Sequence, residues 1–97
     1  MIQHVTLIDF KAGTTDAQKA AVLAAFQTLP DHIAEIRDFR AGLDLSLLEG
    51  NAGIAVHATF DSPEDFLAYS SHGAHMEVIY PVCGDVMAGY STAQIAL

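Results

Sequence analysis

Ile2-Gln3-His4-Val5-Thr6-Leu7-Ile8-Asp9-Phe10 reads as a β-strand, and as one with two apolar sides. Alternate residues of a strand point to opposite faces. Ile2, His4, Thr6, Ile8 and Phe10 share one side; Gln3, Val5, Leu7 and Asp9 share the other. An antiparallel sheet with one wet face alternates apolar and polar residues. Here large apolar groups stand on both sides, Ile2, Ile8 and Phe10 against Val5 and Leu7. If His4 faces a helix layer, Val5 and Leu7 face away from it, and something apolar has to cover them.

Downstream, Lys11-Ala12-Gly13 is a break and Thr14 or Thr15 offers a helix N-cap. Thr15 with Gln18 fits a capping box, and Asp16 suits the positive end of the helix dipole. The alanine-rich stretch to Leu29 predicts a helix with Val22, Ala25, Phe26 and Leu29 on one face. Pro30 ends its regular part, and Asp31 to Glu35 offers a further turn. Ile36 to Leu43 reads as a second strand, with Arg37, Phe39, Ala41 and Leu43 on one side. The turn-rich connection Asp44 to Gly53 carries Leu45, Leu47 and Leu48, three leucines that need a surface to cover.

Ile54 to Phe60 reads as a third strand. Ser62-Pro63-Glu64-Asp65 then starts a helix, with Ser62 as cap, Pro63 at the first helical position and Asp65 closing the box. That helix runs to Tyr69, and Ser70 to Gly73 interrupts it. A second piece, Ala74 to Cys83, places Met76, Ile79, Tyr80 and Cys83 on one face, with Pro81 loosening it. Ala88 to Leu97 alternates as a terminal strand.

The order β-α-β-β-α-β is that of an α+β, ferredoxin-like split βαβ over residues 1–97, read as a single domain. It predicts a four-stranded antiparallel sheet with its helices on one face. A second copy packing sheet on sheet would cover Val5 and Leu7. The expected assembly is therefore a homodimer, an eight-stranded dimeric α/β barrel.

Composition agrees. Of 97 residues, 52% are hydrophobic and only 16% charged, against about a quarter charged in an average soluble domain. Twelve acidic and four basic residues give a net charge of −8. Nucleic acid or anionic membrane binding needs clustered positive charge, which Lys11, Lys19, Arg37 and Arg40 do not supply. No apolar run approaches the ~18 residues of a membrane helix. The N-terminus lacks a signal-peptide pattern, and the lone Cys83 excludes an internal disulfide framework. The expected compartment is the cytoplasm.

Several stretches resemble the stress-responsive dimeric A/B-barrel (Dabb) family: Met1-Ile2-Gln3-His4-Val5 with Phe10-Lys11 and Gly13, Phe60-Asp61-Ser62-Pro63-Glu64-Asp65-Phe66, and Tyr69-Ser70-Ser71-His72-Gly73-Ala74-His75. Gly73 stands where that family usually has proline; both histidines remain. The resemblance covers nearly the whole chain and implies a ferredoxin-like fold and a homodimer. It implies little about activity, since most members have none assigned. One plant branch resembles a polyketide cyclase; carried over, its histidine, tyrosine and histidine fall on His4, Tyr69 and His75.

Two readings stand beside each candidate. His4, among Ile2, Thr6 and Ile8, is either a core histidine bonded to a backbone group or to Tyr69, or a general base. Tyr69 either packs with its hydroxyl at a rim or donates to a substrate oxygen, with His75 as base beside a carbonyl. His75 and Ile79, four apart, point His75 toward the apolar layer, and His72 is expected at a helix N-terminus in water. His4, His72 and His75 could approach a metal, but further ligands are lacking, so no metal and no cofactor is assigned. His57 is expected on the dimer face, Arg37 and Arg40 in exposed ion pairs with Asp38 or Glu35, and Cys83 as a small hydrophobe.

The expected site is a small, mostly apolar pocket between sheet and helices, lined by His4, Tyr69 and His75. It would bind a small apolar or aromatic ligand without catalysis, or serve a cofactor-free cyclase, lyase or isomerase.

Overall fold

A computed structural model describes residues 1–97. Strand β1 (Ile2–Phe10) is followed by helix α1 (Asp16–Gln27), a short helix α2 (Leu29–His32), and strands β2 (Asp38–Leu43) and β3 (Ile54–Phe60). Helix α3 (Pro63–Ser70), a π-helical turn at His75–Ile79, a short helix α4 (Tyr80–Cys83) and strand β4 (Met87–Ala96) complete the chain. The sheet is antiparallel with order β2-β3-β1-β4, and the helices cover one face. This is the ferredoxin-like α+β arrangement read from the sequence.

Local chemistry explains the element ends. Thr15 Oγ1 accepts from the Gln18 backbone N–H at 3.1 Å, and the Gln18 amide oxygen accepts from the Thr15 N–H at 2.8 Å, a complete capping box. At α3, Ser62 Oγ accepts from the Asp65 N–H at 3.2 Å, but the reciprocal bond is not made, so Asp65 does not close a box. Pro30 and Pro63 each sit in a first helical turn, where a missing N–H costs nothing. The second strand begins at Asp38, not Ile36, because Ile36 still belongs to the turn whose N–H reaches the Ile33 carbonyl.

The largest departure from the sequence reading lies after Gly73. A regular helix from Ala74 would place Met76, Ile79, Tyr80 and Cys83 on one buried face. Instead, the Tyr80 N–H reaches back to the His75 carbonyl, five residues earlier. Pro81 has no N–H for the Glu77 carbonyl and its ring crowds that group, so the turn before it widens. The wider turn rotates the face: Ile79 and Cys83 are buried, while Met76 and Tyr80 stand exposed.

The core lies between sheet and helices. Ile8 of β1, Ile54, Val56, Ala58 and Phe60 of β3, and Val22, Phe26, Leu29 and Ile33 of the first helical region fill it. On β1, burial alternates as predicted: His4 and Ile8 are 5% and 2% exposed, while Leu7 on the opposite face is 43% exposed. Val5 pairs laterally with His57 and Ala93, and Leu7 with Ala55 and Ser91, so these residues share the open face. Nothing within the chain covers it. Leu45, Leu47 and Leu48 are likewise exposed, on the β2–β3 connection.

Phe60 is fully enclosed and meets the rings of Phe66 and Tyr69 at centroid distances of 5.7 and 5.1 Å. Phe60→Ala is expected to lower unfolding free energy by about 3–5 kcal/mol, measured by urea denaturation. A loss below about 1 kcal/mol would show that the aromatic cluster does not anchor α3.

Candidate functional site

A cavity of about 390 Å³ opens between the helix layer and the β1–β4 half of the sheet. Its floor is His4, Thr6 and Ile8 of β1 with Tyr90 and Thr92 of β4. Phe66 and Tyr69 come from α3, and His75 and Met76 from the π-helical turn. The volume and the mostly apolar lining suit a small organic ligand. All three residues singled out from the sequence, His4, Tyr69 and His75, line this one space.

His4 is held from both ends of its ring. Nδ1 lies 3.0 Å from Gln94 Nε2, and Nε2 lies 2.7 Å from Thr6 Oγ1. With the Gln94 amide donating to Nδ1, the ring proton resides on Nε2 and is donated to Thr6. The partners are thus two side chains, not a backbone group or Tyr69. The ring also packs on Phe66 and Tyr69, at centroid distances of 4.9 and 5.6 Å. Burial, and secondarily the nearby His75, push its pKa below the usual 6.5, so His4 is neutral at pH 7.

Tyr69 and His75 differ from His4 in lacking partners. Their rings meet edge to face at 4.6 Å and 88°. The Tyr69 phenol is pushed up to about 12 by burial alone, and no protein group takes up its hydroxyl. Burial lowers the His75 pKa, and the His72 carbonyl opposes this. That carbonyl lies outside hydrogen-bond geometry, for Nδ1 of His75 is buried and without a partner. A phenol O–H beside a neutral imidazole is a donor and a base in one pocket.

The remaining candidates lie elsewhere. His72 is half-buried, not in open water, because its Nδ1 accepts from the Ala74 N–H at 3.0 Å and caps the turn. No group of three or more histidine, cysteine, aspartate or glutamate residues stands together as a metal site. His57 lines a shallow hollow on the open sheet face, beside Arg40 and Leu7. The ion pair is Arg37 to Asp61, 3.0 Å, and not to Asp38 or Glu35. Cys83 is buried, and burial raises its thiol pKa.

Sequence reading missed Gln94, Thr6 and Thr92. An amide on the helix-facing side of the last strand was the available signal. Only the register, which sets Gln94 opposite His4 and Thr92 opposite Thr6, makes it meaningful.

A family model described as Stress responsive A/B Barrel Domain matches residues 2–91. The chain belongs to the stress-responsive A/B-barrel (Dabb) family. Among solved structures, this Dabb chain is similar to a dimeric ferredoxin-like protein of unknown function from Thermobifida fusca. They share 31% identity and a TM-score of 0.86, over 99% of this chain and 90% of that one. A protein of Arabidopsis thaliana gives 21% identity and a TM-score of 0.83, over 100% and 95%. A hydroxynitrile lyase from Passiflora edulis gives 17% and 0.81, over 99% and 92%. The last two likenesses show the fold alone. No curated protein matches the chain. No helix of this Dabb chain is long and apolar enough to cross a membrane.

The lowered histidine pKa values fix a pH dependence. The folded state binds fewer protons at His4 and His75 than the unfolded state does. Their contribution to stability is therefore full above pH 6.5 and is lost as pH falls through the lowered folded values. The melting temperature should drop on acidification below that point, and less steeply in His4→Gln. Imidazole NMR titration should place His4 below 6.5; a value above it would contradict the neutral, doubly held ring.

Proposed function

We propose that this chain binds a small, largely apolar or aromatic compound in the cavity between helices and sheet, and does so as a homodimer. The observation that carries the reading is the pairing of an apolar cavity of about 390 Å³ with two unpartnered polar groups, the Tyr69 hydroxyl and the His75 ring. Buried polar groups are ordinarily satisfied. A ligand with a hydrogen-bonding atom would meet the Tyr69 hydroxyl and the Nε2 of His75, whose Nδ1 is enclosed, while its rings or chain meet Phe66, Ile8 and Ile79.

The assembly rests on the open sheet face. Leu7 and Ile95 are 43% and 52% exposed there, and Val5 lies between them. The Thermobifida fusca protein and a ferredoxin-like protein from Bacteroides fragilis are both described as dimeric. Sheet-on-sheet packing of two copies removes this apolar surface from water and closes the barrel. A charge at Leu7 would then be buried without a partner. Leu7→Asp should weaken self-association by at least about a hundredfold, read by sedimentation. An unchanged dimer, or a wild-type monomer at micromolar concentration, would refute this packing.

A second reading is a cofactor-free cyclase, lyase or isomerase. The edge-to-face Tyr69–His75 contact favours it, and a hydroxynitrile lyase shares the fold. Tyr69 would donate to a carbonyl oxygen while His75 removes the adjacent proton. His4, with both nitrogens engaged, would position the aromatic wall and act on a substrate only after releasing Thr6.

A ligand of about fifteen heavy atoms at about 0.3 kcal/mol per atom binds with Kd near 0.5 mM, so screening belongs at millimolar concentration. Aromatic ketones and β-polyketones should shift the Tyr69 and His75 resonances, and His75→Ala should weaken binding about tenfold. If turnover is found, Tyr69→Phe or His75→Ala should lower it about 10²–10⁴-fold. Turnover that survives both substitutions would remove the pair from the chemistry; absence of any binding would remove the ligand site.

A further inference from the structure

We infer that the cavity accepts uncharged carbonyl or phenolic compounds and rejects their carboxylate counterparts at neutral pH. This rests on the ligand-binding reading above and narrows its substrate class.

The lining contains no lysine, arginine, aspartate or glutamate. The chain has four cations, and each is placed elsewhere. Lys19 lies over the Phe10 ring at 5.8 Å. Arg37 pairs with Asp61. Arg40 stands opposite His57 on the open face of the sheet. Lys11 is exposed in the turn after β1.

What the cavity offers is the phenols of Tyr69, Tyr80 and Tyr90, two imidazoles, the Cys83 thiol and the hydroxyls of Thr6, Ser70 and Thr92. Both imidazoles are held toward the neutral form. An anion entering would give up its hydration and find no fixed counter-charge. It would also enter against the field of a chain of net charge −8. A neutral carbonyl meets none of these costs. Its oxygen accepts from the Tyr69 hydroxyl, and an enol, phenol or acidic C–H faces the His75 ring.

Acetophenone and benzoate, equal in heavy-atom count but one neutral and one anionic, test the selection on the full-length protein at pH 7.5. Binding is read by NMR titration of the cavity resonances. Benzoate should bind at least about tenfold more weakly than acetophenone. Thr92→Lys, which brings an ammonium group to an exposed position of the cavity floor, should raise benzoate affinity at least about tenfold relative to that of acetophenone.

Benzoate binding as tightly as acetophenone to the wild type overturns the charge selection and leaves the ligand site standing. Benzoate affinity unmoved by Thr92→Lys relative to that of acetophenone shows that charge is not what excludes it, and overturns the inference too. If neither compound binds at millimolar concentration, the ligand site fails and its selectivity with it.

Discussion

Strand β1 is hydrogen-bonded on both sides, to β3 and to β4, and every residue from Ile2 to Ile8 has a partner in each. The rest of the molecule depends on that constraint. A strand locked on both edges cannot turn a side chain from one face to the other without shifting its register, and a one-residue slip would move His4 to the open face and Leu7 into the cavity. The same pairing that puts an imidazole among core residues therefore leaves Val5 and Leu7 on the opposite side, with no helix to cover them. Cavity and open face are two consequences of one alternation.

Elements were legible where a short-range rule governs them. The Thr15–Gln18 box, the Ser62–Pro63 start and the two-sided apolar pattern of β1 each depend on residues a few positions apart. The structure reproduces them nearly as read. Features that depend on distant partners were not legible. Nothing near Gln94 in sequence marks it as the partner of His4; the antiparallel register brings them together across 90 positions. Arg37 finds Asp61 for the same reason, since the close of β3 returns beside the start of β2. The rotated face after Gly73 failed for a third reason. Pro81 announces a disturbance, but periodicity does not say whether the helix breaks, kinks or widens, and widening reverses the positions of Met76 and Tyr80.

That widening also shapes the cavity. A regular helix would have placed Tyr80 on the buried face with Ile79 and Cys83. Instead Tyr80 lies outward against Gly84, where an added Cβ would stand 3.2 Å from the ring and 3.0 Å from the Tyr80 carbonyl oxygen. Met76 moves to the rim in the same rotation. The opening is lined by residues that a regular helix would have buried, and it leads to the Tyr69–His75 pair. π-Helical turns recur at functional positions because they displace side chains from the regular register.

The contrast between His4 and His75 says more about chemistry than their shared location does. Burial lowers the pKa of both imidazoles, and the nearby His75 further disfavours protonation of His4. His4 has resolved its position: Gln94 fills one nitrogen and Thr6 the other, which fixes ring orientation and tautomer. His75 has not; its sealed nitrogen faces a carbonyl without bonding to it, and its ring abuts a phenol whose hydroxyl is free. A fully bonded group resists moving and transfers a proton only by first breaking a bond. The free Tyr69 hydroxyl and the cavity-facing edge of the His75 ring carry no such bond to break. Of the three side chains around the cavity, His4 is therefore the one held fixed by its neighbours, while the proposed ligand would meet Tyr69 and His75.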